Sequence, residues 1–136
     1  METLKIILVD DNEAFRKVFR QLLISKYHAE IIGEAANSEE FKTLKNIHLA
    51  DLIFMDVMMP GTDGITLTKQ ILWQFSKLKI IAITMHCDKV YLKSLLEAGF
   101  RGCIYKNNLF TEITNAINTV LDKHLYFPHD IMINKD

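Results

Sequence analysis

The sequence contains few cysteines and prolines and has no long apolar run. Of its 136 residues, two are cysteine and two are proline. Cys87 and Cys103 lack the spacing of a metal-binding motif and cannot form a disulfide framework, so we expect both thiols to be reduced. No apolar run is long enough to cross a bilayer, and residues 1–9 do not have the pattern of a signal peptide. The sequence therefore predicts a cytoplasmic protein without a membrane partner.

A strong charge of either sign is also missing. The 16 lysines and arginines are balanced by 17 aspartates and glutamates, which gives a formal net charge of -1. Because binding to a nucleic acid backbone requires excess positive charge, we do not expect this chain to bind nucleic acid directly. Its hydrophobic content of 49% is ordinary for a globular protein, and its length suits one domain with a core.

A buried strand is predicted at residues 52–56, where four apolar residues lead directly into Asp56. A continuous apolar run suits a strand that is covered on both faces of a parallel sheet. The Pro60-Gly61 pair breaks regular structure, so the strand must end near Asp56. This position is the carboxyl end of a central strand, where open α/β sheets bind ligands. Considered alone, Asp56 is explained equally well as a residue that caps the next turn.

Four further strand patterns alternate with helix patterns along the chain. The strands are predicted at residues 4–9, 30–35, 79–84 and 102–105, and the helices at about residues 13–25, 38–45, 65–75, 90–96 and 113–121. Strict alternation of this kind predicts an α/β fold, with a parallel sheet covered by helices on both faces. We assign residues 1–124 to this domain and residues 125–136 to a C-terminal tail or linker.

Polar side chains occur at the carboxyl ends of four predicted strands. Asp10 and Asp11 follow the first strand, Asp56 ends the third, Thr84 the fourth, and Lys106 follows the fifth. Because these strand ends meet at one edge of a parallel sheet, we expect the side chains to cluster. Each residue alone has an ordinary role in a cap or turn, but their joint occurrence favours a site.

The predicted cluster suits phosphoryl transfer. Three carboxylates and one ammonium leave a charge of about -2 at neutral pH, which Mg²⁺ with oxygen ligands can offset. A carboxylate can attack phosphorus to form an aspartyl phosphate. Lys106 can then neutralise one phosphoryl oxygen, Thr84 can donate to another, and the metal can bind a third.

In order and spacing, these residues resemble the receiver domain of two-component response regulators. The resemblance spans about residues 4–123 and includes Met59-Pro60-Gly61 after the central strand. Three segments also resemble the NarL/FixJ (LuxR-type) group of regulators, at residues 33–37, 84–86 and 98–102. The implied fold is flavodoxin-like (CheY-like), a doubly wound five-stranded parallel sheet in the order 2-1-3-4-5.

The resemblance also implies a role for each residue. Asp56 accepts a phosphoryl group from a sensor histidine kinase, while Thr84 and Lys106 contact that group. The implied Mg²⁺ ligands are Asp10, Asp11, Asp56 and the backbone carbonyl of Met58. The implied protein is a switch rather than an enzyme, although it catalyses its own phosphorylation and slowly loses the group. It is expected to form a phosphorylation-dependent homodimer and to control a DNA-binding helix-turn-helix domain that is absent from this chain.

The sequence departs from the receiver pattern near the lysine. Cys103 occupies a position three residues before Lys106 that is usually aromatic. Tyr105 cannot replace that aromatic residue, because adjacent strand residues point to opposite faces. We therefore expect the coupling of Thr84 to this position to differ from the usual one. We also predict that Met58 and His86, which flank the site, set the lifetime of the phosphoryl group.

Two other functions are consistent with parts of the pattern. The first is a stand-alone or phosphorylation-independent receiver-like interaction module, which the intact acidic cluster disfavours. The second is a Mg²⁺-dependent phosphohydrolase resembling haloacid dehalogenases, but such enzymes carry an Asp-x-Asp nucleophile on the first strand. Phe15, on the first helix, is either part of a kinase-docking patch or part of the core, and the wide apolar stripe of that helix permits both.

Overall fold

The computed structural model describes residues 3–85 and 89–128. The strands of this part are β1 (Lys5–Val9), β2 (Glu30–Ala35), β3 (Leu52–Asp56), β4 (Ile80–Thr84) and β5 (Gly102–Tyr105). Its α-helices are α1 (Glu13–Tyr27), α2 (Ser38–Phe41), α3 (Gly64–Gln74), α4 (Lys89–Ala98) and α5 (Leu109–Leu121). In this part of the chain, no helix combines the length and apolar character that crossing a bilayer requires.

The five strands form one parallel sheet in the order β2-β1-β3-β4-β5, which confirms the predicted fold. β3 lies in the middle, where Met55 is paired with Val9 of β1 and Asp56 with Ile83 of β4. Thr84 of β4 is in turn paired with Tyr105, the residue before Lys106. The carboxyl ends of four strands therefore lie side by side at one edge of the sheet.

Both faces of the sheet are covered, as the apolar run in β3 predicts. Ile53 and Met55 pack into one core with residues of α2, α3 and α4. Leu52 and Phe54 pack into a second core with residues of α1 and α5. All five residues of β3 are buried. Because both cores include β3, the backbone around Asp56 has little freedom to shift.

Local capping places α1 and α3 next to this edge of the sheet. The side chain of Asn12 accepts a hydrogen bond from the backbone N–H of Phe15, which starts α1 directly after the first two aspartates. The side chain of Asp63 caps α3 in the same way. A Cβ atom on Gly64 would lie 2.4 Å from the backbone carbonyl oxygen of Asp56, so only glycine permits this approach of α3 to β3.

The second helix is shorter than predicted. The expected helix extends to residue 45, but α2 ends at Phe41. The hydroxyl of Thr43 donates to the carbonyl of Glu40 at 2.7 Å, and the backbone N–H of Thr43 donates to the same oxygen. This local bonding satisfies a carbonyl that a continuing helix would use and closes a tighter turn.

Residues 125–128 pack against β5, at the edge of the sheet. The backbone of Tyr126 donates to Arg101 at 3.0 Å and accepts from Cys103 at 2.8 Å. The Tyr126 hydroxyl donates to Glu112 of α5 at 2.7 Å, and Phe127 is buried. The first residues of the predicted tail thus contact the sheet, and the division of the chain at residue 124 stays a prediction.

Candidate functional site

The structure brings the three predicted carboxylates together. Asp10, Asp11 and Asp56 each offer an oxygen, and these oxygens lie within 4.8 Å of one another. Asp10 and Asp56 are buried, whereas Asp11 is exposed. An all-oxygen set of this kind, open to solvent on one side, fits the ligand preference of Mg²⁺. The chemistry of the donors therefore agrees with the predicted metal, while the assignment of these residues as ligands remains a prediction.

Asp10 is held through both its side chain and its backbone. Its Oδ1 accepts from the backbone N–H of Asn12 at 2.8 Å, and its Oδ2 lies 2.9 Å from Nζ of Lys106. Nη1 of Arg16 donates to the Asp10 backbone carbonyl at 2.6 Å. Arg16 is itself oriented by Glu34 of β2, at 3.2 Å. Asp10 therefore has a fixed orientation, which a metal ligand requires.

Asp56 lies where its negative charge is disfavoured. Burial, followed by the charge of Asp10, raises the pKa of Asp56 to about 7, against an ordinary value of 3.8. Lys106 acts in the opposite direction and lowers this pKa, as does the backbone N–H of Met58, which donates to Asp56 Oδ1 at 3.3 Å. A cation bound among the carboxylates would favour the ionised form of Asp56. The cluster is therefore electrostatically suited to a metal ion.

Lys106 contacts an aromatic ring as well as Asp10. Its Nζ atom lies 4.2 Å from the centroid of the Phe15 ring, within the range of a cation–π interaction. Phe15 is half-buried and packs against the core formed with α1 and α5. A docking or a core role is predicted for Phe15 from the sequence, but its contact with Lys106 was not predictable, because the two residues are far apart in the chain.

Thr84 has an aromatic neighbour that the sequence did not indicate. Its side chain is buried at the end of β4, and its interaction with the Tyr91 side chain of α4 lowers the pKa of the Tyr91 hydroxyl. Burial is the main cause that raises the pKa of Tyr91, and the negative charges of Asp63 and Asp56 add to it. Cys103 is buried nearby in β5. An aromatic hydroxyl therefore reaches Thr84 from α4, although the usual strand position holds a cysteine.

The remaining predicted site residues have different outcomes. Met58 is exposed beside Asp56, with its backbone N–H directed at that carboxylate. The role of its carbonyl as a metal ligand stays a prediction. His86 and Cys87 lie outside the described residues.

Comparison with known proteins agrees with this geometry. Residues 6–118 match the response regulator receiver domain. The response regulator UvrY of Escherichia coli K12 is 29% identical over 128 residues, which cover 94% of this chain and 59% of UvrY. The transcriptional regulatory protein LiaR of Bacillus subtilis is 35% identical over 114 residues, which cover 84% of this chain and 54% of LiaR.

Solved structures give the same result. A LuxR-family response regulator from Aurantimonas has a TM-score of 0.86 at 29% identity, with 96% of this chain and 94% of that one covered. The isolated receiver domain of RcsB from Salmonella enterica serovar Typhimurium, with the phosphomimetic BeF3-, has a TM-score of 0.80 at 25% identity. That match covers 96% of this chain and 97% of the RcsB domain.

The chain belongs to the response regulator receiver domain family, and its relatives are LuxR-family regulators of two-component systems. Domains of this family generally act as switches rather than as enzymes, which agrees with the class expected from the sequence. The chain spans 59% of the length of UvrY and 54% of the length of LiaR.

Proposed function

We propose that this chain is the phosphoacceptor domain of a response regulator, phosphorylated on Asp56 by a sensor histidine kinase in a Mg²⁺-dependent reaction. The observation that carries this proposal is the approach of three carboxylates to within 4.8 Å, with the Lys106 ammonium 2.9 Å from Asp10. Phosphoryl transfer depends mainly on alignment and on neutralisation of oxygen charge, and this cluster has groups for both.

The proposed reaction uses Asp56 as the nucleophile. A carboxylate oxygen of Asp56 attacks phosphorus, an O–P bond forms, and the N–P bond of the phosphohistidine donor breaks. Asp10, Asp11, Asp56 and the Met58 carbonyl would hold Mg²⁺. When bound, Mg²⁺ supplies charge neutralisation at the phosphoryl oxygens and favours the ionised nucleophile.

After transfer, Lys106 and Thr84 contact the new phosphoryl group in this proposal. Lys106 is paired with Asp10, and Thr84 interacts with the Tyr91 side chain. Exchange of these partners for the phosphoryl oxygens changes the relative stability of two arrangements of β4, β5 and α4. A phosphoryl group shifts such an equilibrium only as far as it interacts differently with the two arrangements.

The proposed output is control of transcription through a helix-turn-helix domain. This part of the proposal rests on relatives: LiaR is a transcriptional regulatory protein, and RcsB dimers have been solved bound to DNA. Residues 1–124 would act as the receiver and residues 125–136 as the linker, with phosphorylation favouring a homodimer. A phosphorylation-independent interaction module remains the second candidate, because an intact cluster does not require phosphorylation.

The test is phosphorylation with acetyl phosphate or a phosphorylated histidine kinase in the presence of Mg²⁺. We expect a stoichiometric, alkali-labile mass gain of one phosphoryl group, which Asp56→Asn abolishes. Asp122→Asn is a matched control, since that aspartate side chain is 80% exposed at the end of α5. No mass gain with any donor would favour the interaction module, and turnover of a phosphomonoester would favour the phosphohydrolase.

The lifetime of the phosphoryl group tests the flanking residues. We propose that Met58 and His86 set this lifetime, and the exposed Met58 side chain beside Asp56 supports the first assignment. We expect a Met58→Ala, His86→Ala double variant to lose the phosphoryl group at a changed rate in a radiolabel chase. An unchanged rate would exclude both residues.

A further inference from the structure

We propose that Phe15 is a positioning residue that holds the Lys106 ammonium against Asp10, and that this contact weakens Mg²⁺ binding at the acidic cluster. The inference rests on the proposed metal site and adds to it a determinant of metal affinity. Its basis is the juxtaposition of one cation, one carboxylate and one aromatic ring at the edge of the sheet.

The ammonium has two close partners. Its Nζ atom lies 2.9 Å from Oδ2 of Asp10 and 4.2 Å from the centroid of the Phe15 ring. The side chain of Lys106 is only 19% exposed, and that of Asp10 only 5%. Attraction between a cation and the face of an aromatic ring strengthens when water is excluded. Phe15 and Asp10 therefore act together on the same ammonium.

The ring of Phe15 is fixed by the core beneath it. Its centroid lies 5.7 Å from that of Phe19, and the Phe19 ring packs edge-on against Phe54 with centroids 4.9 Å apart. Phe19 and Phe54 are both buried, and Phe54 is in β3, two residues before Asp56. The row of three rings therefore positions the cation-binding face of Phe15 relative to the strand that carries Asp56.

A metal ion and the Lys106 ammonium would compete for the carboxylate of Asp10. The carboxylate oxygens of Asp10 belong to the cluster that fits a metal, and Oδ2 is paired with Lys106. A divalent cation at the cluster repels the ammonium, so binding must weaken the pairing of Lys106 with Asp10. Attraction to the Phe15 ring opposes this displacement. Removal of the ring should therefore favour the metal.

The first test measures Mg²⁺ affinity by calorimetry, without a phosphodonor. We expect Phe15→Leu to bind Mg²⁺ about two- to fivefold more tightly, the range that an ordinary cation–π interaction corresponds to. Phe15→Tyr, which retains an aromatic ring, should have the same Mg²⁺ affinity as the native protein. Phe110→Leu is the matched control, because Phe110 is an exposed phenylalanine at the start of α5. An unchanged or weakened affinity in Phe15→Leu would overturn the proposal.

A double-mutant cycle separates positioning from a general packing effect. In a Lys106→Met background we expect Phe15→Leu to leave Mg²⁺ affinity unchanged, because no ammonium remains to be held. An equal effect in both backgrounds would show that Phe15 acts through packing, and the proposal would be wrong. If Phe15→Leu lowers the thermal midpoint too far for titration, Phe15→Met replaces it in the same cycle.

The Lys106 ammonium gives a readout that does not depend on metal or phosphoryl transfer. A held ammonium exchanges its protons slowly, so its ¹⁵N NMR signal should be visible in the native protein and in Phe15→Tyr but lost in Phe15→Leu. A retained signal in Phe15→Leu would contradict the positioning role. If the NMR result holds but Asp56 is never phosphorylated, only the proposed function fails.

Discussion

Asp56 has a pKa that couples protein stability to pH. Because its pKa is raised from 3.8 to about 7, the folded protein binds this proton more tightly than the unfolded chain. The contribution to stability is therefore complete at low pH and is lost as pH rises from about 4 to about 7. The ionised side chain of Asp56, the proposed nucleophile, therefore destabilises the metal-free fold at neutral pH.

This pH dependence can be measured without metal. In EDTA, we expect Asp56→Asn to be more stable than the native protein at pH above about 7, by about 2 kcal/mol after allowance for solvent screening. The difference should disappear near pH 4. Urea unfolding at several pH values, with Asp122→Asn as the control, measures it. A difference that does not depend on pH would contradict the raised pKa.

Tyr91 of α4 is expected to influence how Thr84 responds to phosphorylation. Its interaction with Thr84 would compete with donation by the Thr84 hydroxyl to a phosphoryl group. We expect Tyr91→Phe to raise the fraction of phosphorylated protein that dimerises by about two- to tenfold at a fixed acetyl phosphate concentration, because it removes an interaction with Thr84 that is worth at most a hydrogen bond, about 0.5–1.5 kcal/mol. Analytical ultracentrifugation measures this fraction.

A matched control for Tyr91 exists elsewhere in the fold. The hydroxyl of Tyr27 is hydrogen-bonded to a threonine, Thr114 of α5. Tyr27→Phe removes a tyrosine–threonine contact at a site that does not include Thr84, so dimerisation should not change. If both variants behave alike, the effect of Tyr91 belongs to general stability and not to Thr84.

At the scale of elements, the start of α3 is packed directly on the end of β3. A Cβ atom at position 64 would lie 2.4 Å from the Asp56 carbonyl oxygen and 2.9 Å from Cα of Val57. The first atom belongs to the last residue of β3 and the second to the buried residue that follows it. The helix must therefore move before any side chain can be accommodated there.

We accordingly expect Gly64→Ala to destabilise the protein by about 1–3 kcal/mol, the usual cost of overpacking. Gly33→Ala is the control, because its new Cβ would meet the flexible side chain of Leu44 at 3.2 Å. Urea unfolding of both variants gives the comparison. Equal stability of the two variants would show that α3 can move away from β3 without a loss in the free energy of unfolding.

The regular elements were predictable from the sequence because their signals are local. The unbroken apolar run of β3 indicated burial on both faces, and the polar residues at the strand ends indicated a shared edge. The end of α2 was not predictable from periodicity, because it depends on the hydroxyl of Thr43 competing for a backbone carbonyl. The contact of Tyr91 with Thr84 depends on how α4 packs, which a single sequence does not determine.

At the scale of the whole molecule, the structured domain includes residues beyond α5. Tyr126 forms backbone hydrogen bonds with Arg101, just before β5, and with Cys103 of β5, and Phe127 is buried against the core. This packing was not predictable from the sequence, because residues 125–128 have no helical or alternating pattern. The contact is long-range and exists only once β5 is in place.

Truncation tests where the folded unit ends. We expect a chain ending at residue 124 to be less stable than one ending at residue 128 by about 2–4 kcal/mol, since it loses the burial of Phe127 and the hydrogen bonds of Tyr126. Thermal unfolding of the two chains measures the difference. Equal stability would support the predicted boundary at residue 124.

The backbone hydrogen bond between Cys103 and Tyr126 links residues after α5 to the strand that ends before Lys106. The Cys103 N–H that binds Tyr126 belongs to the same short strand that leads into Lys106. A displacement of Lys106 would therefore move the backbone to which Tyr126 is hydrogen-bonded. In the proposed function, a chemical change at Asp56 would thus act on residues 125–128 through one short strand and one backbone hydrogen bond.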